Sequence, residues 1–473
     1  MADPRAEPRA EPRAEPGAEP RAEPRAASAP EPAADGGAAL PDPGALYALI
    51  EELYPICRSI SGDGVRKTLA ILGRYLPLQV SEVPSGEKVL DWTVPDEWNI
   101  RDAYIADAQG RRVVDFRAHN LHVLNYSVPV RARMRLDELR PHLHSLPQQP
   151  DLIPYRTSYY SKAWGFCLSQ TQLDALRDEE YEVCIDATLA PGHLTYAEAV
   201  LPGDTSEEIL ISAHVCHPSL ANDNLSGLAV ATFLARHLSQ RARRRHTLRF
   251  LFAPGTIGAI TWLARNRETA ARIRHGLTLT CLGDGHPFTY KKTVFGGTEI
   301  DRAAAHVLAT SGYAHQVIDF FPYGYDERQY NSPGFRLPVG SLMRGRHGQF
   351  PEYHTSADNL GFIARERLGE SLRVLADVID VLEGNERYTN LEPYGEPQLG
   401  SRGLYRATGG TQIADLQLAL LWVLNLSDGR HSLLDIAETS RMPFATIRVA
   451  ADLLSSHGLL STGHIETQRG NTP

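Results

Sequence analysis

The chain is short of cysteine. Its five (Cys57, Cys167, Cys184, Cys216 and Cys281) are odd in number and show no paired spacing. That fits reduced thiols in a cytoplasmic setting better than a disulfide framework. No run of about 18 apolar residues occurs, so no membrane-spanning helix is expected. The opening MADPRAEPRAEPRAEPGAEPRAEPRA has no apolar core, so it does not read as a signal peptide. A basic excess is missing as well: 48 Lys and Arg stand against 57 Asp and Glu, a net charge of -9. Nucleic acid is therefore not the expected partner. No G-x-S-x-G elbow is present, which sets aside a serine hydrolase of that type. The glycine pairs of KKTVFGGTEI and YRATGGTQ lack the lysine and hydroxyl of a phosphate-binding loop.

What is present is an ordinary globular composition, 42% hydrophobic and 22% charged over 473 residues, enough for two or three domains. Residues 1–41 form a Pro-rich four-residue repeat, with helix donors removed and little apolar area to offset chain entropy; they read as a disordered tail. Residues 42–87 and 199–392 read as an α/β domain, and 88–198 as an inserted β-rich domain of short strands and Pro/Gly turns. Residues 393–473 read as a winged helix. In the α/β part, EILISA (208–213) and TLRFLFA (247–253) suit buried strands, alternating with helices at 258–265 and 299–311. That alternation predicts a mostly parallel sheet flanked by helices, with ligands beyond the carboxyl ends of the strands. The second helix of the C-terminal helix–turn–helix, 444–456, carries one arginine, Arg448. Its expected role is protein contact, such as a homo-oligomer, rather than DNA binding.

Two segments concentrate the chemistry. EILISAHVCHPSLANDNLSGLAV places His214 just past a strand and Asp223 in the turn before a helix. QFPEYHTSADNLGF places His354 after a proline-bounded segment, with Thr355, Ser356 and Asp358 set to open another helix. Imidazole nitrogen and carboxylate oxygen are donors that zinc accepts, and a carboxylate can bridge two ions. His214, Asp223 and His354 are the candidate metal ligands. His217, Asp284, Asp326 and Glu352 are further ligands or groups that orient them. Glu327, in GYDERQYNSPGF, is the candidate for proton transfer beside an activated water.

HVCHPSLANDNLSG and EYHTSADNL resemble the metal segments of the di-zinc aminopeptidase family of the MH metallopeptidase clan. The whole chain, through YPICRSISGDGVRKTL, PGTIGAI and YGYDERQYNSPGF as well, resembles a bacterial aminopeptidase-like subfamily with a nested β-rich domain and a C-terminal winged helix. The resemblance implies a zinc-dependent amide hydrolase with one zinc ion, or two. It would release an N-terminal amino acid or aminoacyl group from a peptide or small molecule. The alternative it leaves is an inactive binding or assembly protein of a biosynthetic pathway. Three departures stand out. Cys216 replaces the aspartate of H-x-D, FAPGTIGAI lacks the usual Glu pair, and Asp284 only loosely matches a third-strand aspartate.

Overall fold

Apolar residues at helical spacing open the fold. In the computed structural model, which describes residues 39–404 and 415–462, α1 (Pro43–Leu53) buries Leu46, Leu49, Ile50 and Leu53. It starts on a proline in its first turn, with Asp42 accepting from Gly44 N at 3.1 Å. The 1–41 tail falls almost wholly outside the described residues. Helix α2 (Asp63–Leu72) follows. Then come β1 (Gln79–Pro84), β2 (Glu97–Ala106), β3 (Arg112–Asp115), β4 (Val130–Arg135), β5 (Glu180–Ala190) and β6 (His193–Leu201). The α/β stretch runs β7 (Glu208–His214), α3 (Gly227–Ser239), β8 (Thr247–Ala253), α4 (Ile257–Arg265), β9 (Ile273–Leu279), β10 (Phe288–Lys291) and α5 (Glu299–Thr310). It ends with β11 (His315–Ile318), β12 (Val339–Met343) and α6 (Arg365–Gly384).

The central sheet has the order β1-β6-β8-β7-β9-β12-β10-β11. Its middle strands β8, β7, β9 and β12 are parallel neighbours, as their helical crossovers require. Outside them the sheet is mixed: β1–β6, β6–β8 and β12–β10 pair antiparallel, while β10–β11 is parallel. The expectation of a mostly parallel sheet thus holds for the middle only. Strand β6 enters the sheet without a helical crossover, directly after β5, so it pairs antiparallel. Residues from His193 onward, expected in the β-rich segment, belong to this sheet. A second, antiparallel sheet has the order β3-β2-β5-β4.

Strand β7 is buried along its whole length. Ile209, Ile211 and Ala213 face a core shared with α1, α2, α3 and α6, while Leu210 joins a core shared with α4 and the second sheet. A strand apolar on both faces belongs between two layers.

The C-terminal part contains β13 (Arg387–Asn390), α7 (Asp415–Leu426), β14 (Asp428–Ser432), α8 (Leu433–Ser440), α9 (Phe444–Ser456) and β15 (Leu460–Ser461). Strand β13, assigned from sequence to the α/β part, is the middle strand of the small β14-β13-β15 sheet. The layers are fastened together: Arg302 of α5 holds Asp435 at 2.5 Å and also Glu438. Arg448 of α9 pairs with Asp452 at 3.2 Å, and its guanidinium lies where a Cβ on Gly384 would stand, 2.0 Å away. The single arginine of the second helix is therefore spent within the chain. Among the described residues no helix is long and apolar enough to cross a membrane.

Candidate metal centre

Parallel strands deliver their last residues to one edge, and β7 delivers His214 there. The turn 221–226 then brings Asp223 back over it. His214 Nε2 lies 2.9 Å from Asp223 Oδ1. His354 Nε2 lies 3.0 Å from the other oxygen, Oδ2, and His217 Nε2 lies 3.9 Å from it. The tightest donor set is His214, His217 and Asp223, with ligand atoms within 4.8 Å of one another. His354 meets only the outer oxygen, and its side chain remains 32% exposed while Asp223 is fully buried. The three histidines and Asp223 proposed from sequence are brought together.

The turn is held from behind. Asp358 accepts from Asn222 N at 2.6 Å and Asp223 N at 2.9 Å. Burial pushes its carboxyl up to about 8. It opens no helix, since α6 begins at Arg365. Asn224 Nδ2 sits 3.2 Å from His214 Nδ1 and donates to the Leu279 carbonyl at 2.9 Å. Arg58, from the YPICRSISGDG segment, is buried and donates from Nε to the His217 carbonyl at 2.8 Å. Cys216, in the H-x-D position, accepts from Gly255 N at 3.3 Å, and its Sγ lies 3.3 Å from His217 Nδ1. Burial pushes this thiol up to about 12, and it stands outside the tightest donor set.

Charge is distributed to suit a cation. Burial holds His217 well below the usual histidine range, which leaves its lone pair available. For Asp223, burial opposes ionisation, but the imidazoles of His217, His214 and His354 outweigh it, and the carboxyl lies well below its ordinary value. The backbone is strained here too. Ser219, Thr256, Cys281 and His354, with φ of 43°, 62°, 49° and 57°, all take left-handed conformations that non-glycine residues avoid.

The remaining candidates are placed as follows. Asp284 is occupied by Asn222 Nδ2 (2.7 Å), Gly345 N (3.2 Å) and His286 N (2.7 Å), so it braces the turn from the side of Asn222. Glu352 acts through its backbone carbonyl, which accepts from Thr355 Oγ1 at 2.8 Å. Glu327 is buried against Lys291 at 2.5 Å; Lys291 also donates to the carbonyls of Tyr323 (2.9 Å) and Phe321 (3.2 Å). A side chain at Gly324 would meet Glu327 Oε1 at 2.1 Å, so the loop closes on this pair only with glycine there. Asp326 reaches Thr256 N at 2.6 Å, inside the segment that lacks the Glu pair. Burial pushes it up to about 6, although His214 draws it down.

Three aromatic or imidazole groups were not read from the sequence. Tyr325 stacks on His214, with rings 3.9 Å apart at 11°, and its hydroxyl lies 2.9 Å from His217 Nε2 and 3.3 Å from Asp223 Oδ2. Tyr155 places its ring 5.0 Å from both His217 and His354. His347 stands 4.9 Å from Tyr325 with both ring nitrogens buried and unbonded. Among the aromatics of SYYSKAWGF, Trp164 stacks on His142, Phe166 is core, Tyr160 is exposed, and Tyr159 reaches toward the site through Tyr155 at 2.8 Å.

Comparison with known proteins agrees with this architecture. A Clostridium acetobutylicum protein named "Putative polysaccharide biosynthesis protein with aminopeptidase-like domain" is 53% identical over 412 residues, 87% of this chain and 94% of that protein. A crystal structure from the same organism, described as a "putative peptidase", superposes with a TM-score of 0.85 at 51% identity, covering 89% of this chain and 96% of that one. The Bacillus subtilis zinc aminopeptidase BSAP shares the fold at 14% identity, with a TM-score of 0.54 over 73% of this chain and 96% of its own. A winged helix-turn-helix family model matches residues 386–462. Since the family model of a domain of unknown function, DUF4910, matches residues 47–385, this chain belongs to the DUF4910 family, built on the fold of zinc aminopeptidases.

Proposed function

We propose that the chain is a zinc-dependent amide hydrolase of aminopeptidase type. It would release an N-terminal amino acid or aminoacyl group from a peptide or small molecule. The observation that carries this reading is the convergence of three imidazoles on the two oxygens of one fully buried carboxylate. Nitrogen and oxygen donors in this number fit zinc, with His214, His217, Asp223 and His354 as its holders. A bound zinc would polarise the scissile carbonyl and make water acidic enough to react near neutral pH.

The chain's own residues supply the rest. Asp326 takes the place of the missing Glu pair: one oxygen is anchored on Thr256 N, and the other is the proton acceptor. Glu327, the acceptor expected from sequence, is paired with Lys291 at 2.5 Å and anchors the loop instead. Tyr155 and Tyr353 wall the exposed side of His354, with Tyr353 stacked on it at 4.0 Å. A second reading, a non-hydrolytic module of polysaccharide biosynthesis, draws support from the name of the Clostridium relative.

Elemental analysis of tag-free protein, compared with a His214→Ala/His354→Ala variant, tests the metal. Hydrolysis of aminoacyl amides that chelation abolishes and zinc restores tests the reaction. Zinc bound at these residues with no turnover across the amide panel would favour the second reading, and protein that never takes up metal would defeat the first.

A further inference from the structure

Asp223 Oδ2 has more donors around it than the histidines alone. Tyr325 Oη lies 3.3 Å from it and 2.9 Å from His217 Nε2, while His354 Nε2 lies 3.0 Å and His217 Nε2 3.9 Å away. Ligands about 2.0–2.1 Å from a tetrahedral ion stand roughly 3.2–3.4 Å from one another. The spacings scatter around that separation, so the phenol oxygen occupies a ligand's position rather than a place behind one. The ring cannot easily swing away. It is stacked on His214, and its backbone N–H donates to both oxygens of Glu327 at 3.2 and 3.1 Å. Lys291 ties down the same loop through the carbonyls of Tyr323 and Phe321.

We propose that Tyr325 is itself a metal donor, joining His217 and His354 around Asp223 Oδ2 while His214 stands on the Oδ1 side. This inference rests on the metal-dependent reading above. A bound ion would be held by the phenol oxygen as its phenolate, the proton passing to solvent, as for other donors that must ionise first. The buried phenol then has a role that a hydrogen bond between a carboxylate and an imidazole would not require. Lys291 and Glu327 become positioning residues for it.

Copper(II) loading of the full-length protein tests the proposal without reference to activity. Copper-loaded wild type should show a phenolate-to-copper charge-transfer band in the visible, and Tyr325→Phe, still holding copper, should lose it. A Tyr325→Phe protein that melts like metal-free wild type but no longer retains copper gives the same support. If the variant fails to fold, resonance Raman excitation of the wild-type band decides, with enhanced tyrosinate ring modes expected. A copper-loaded wild type without the band or those modes, or a variant that keeps the band, overturns the proposal. Wild type that binds neither zinc nor copper defeats the metal reading itself, and the Tyr325 assignment with it.

Discussion

The two ends of β7 bury carboxylates in opposite ways. At its start, Glu208 is gripped by Arg249 (Nε, 2.6 Å) and Arg272 (Nη2, 3.0 Å), and Arg249 also holds Glu198 at 2.6 Å. Fixed guanidinium charges match fixed carboxylates, and nothing more is needed there. At its end, Asp223 is surrounded by three imidazoles and a phenol, groups that keep lone pairs and can give up protons. No arginine or lysine pairs with Asp223 among the described residues. A buried carboxylate costs several kcal/mol unless its charge is met. At one end the carboxylate is met by permanent cations, and at the other by imidazoles and a phenol, neutral donors grouped as a cation site would need them.

Breaking the open end should have the largest effect on function. Asp223→Asn should abolish zinc retention and lower any amide turnover by at least about 10²-fold, the scale of a lost preorganised electrostatic group. Its metal-free melting temperature should stay near that of metal-free wild type, and calorimetry with metal analysis checks both. At the closed end, Glu208→Ala leaves Arg249 and Arg272 facing a buried gap. A loss of about 3–5 kcal/mol of unfolding free energy is expected in denaturant titration, with zinc stoichiometry of the folded fraction unchanged.

Lys291→Met sharpens the comparison, because it leaves Glu327 unpaired in the loop that carries Tyr325. It should cost roughly 2–4 kcal/mol and also weaken zinc binding; a stability loss with wild-type zinc affinity would detach this pair from the site. The smallest effect is expected at a partly exposed pair. Arg66 bonds Glu97 and, although burial opposes it, holds the carboxyl down to about 2, against an ordinary value of 4.5. The folded-state value is depressed, so the stabilisation is complete above pH 4.5 and is lost as the pH falls through about 2. Glu97→Gln should flatten that acid limb by no more than about 1 kcal/mol once solvent screening is counted.

Much of the frame was legible in the residues. The strand 247–253 and the helix 444–456 stand where their apolar periodicity places them. The ligand segments could be recognised because His214 and Asp223 are only nine residues apart, on one strand end and its following turn. The helix expected to open at Thr355, Ser356 and Asp358 begins instead at Arg365, where RERLGESLRVLADVIDVLEG carries a buried stripe at helical spacing. Glu327 was expected to transfer a proton beside an activated water. Its actual partner, Lys291, ends β10, a contact between separate elements that no local pattern announces.

What the sequence by itself determined is therefore the local: alternation of strands and helices, and the identity of the donors in each short segment. These depend on periodicities of two and 3.6 residues and on contacts a few residues long. Tertiary structure alone decided which donors share one space. Tyr325 reaches His217 across 108 residues and Asp326 reaches Thr256 across 70, because the carboxyl ends of the parallel strands open on one side of the sheet. The choice between a carboxylate satisfied by arginine and one surrounded by imidazoles is made by that convergence, since burial and partner geometry, not residue type, set the energy of a charge.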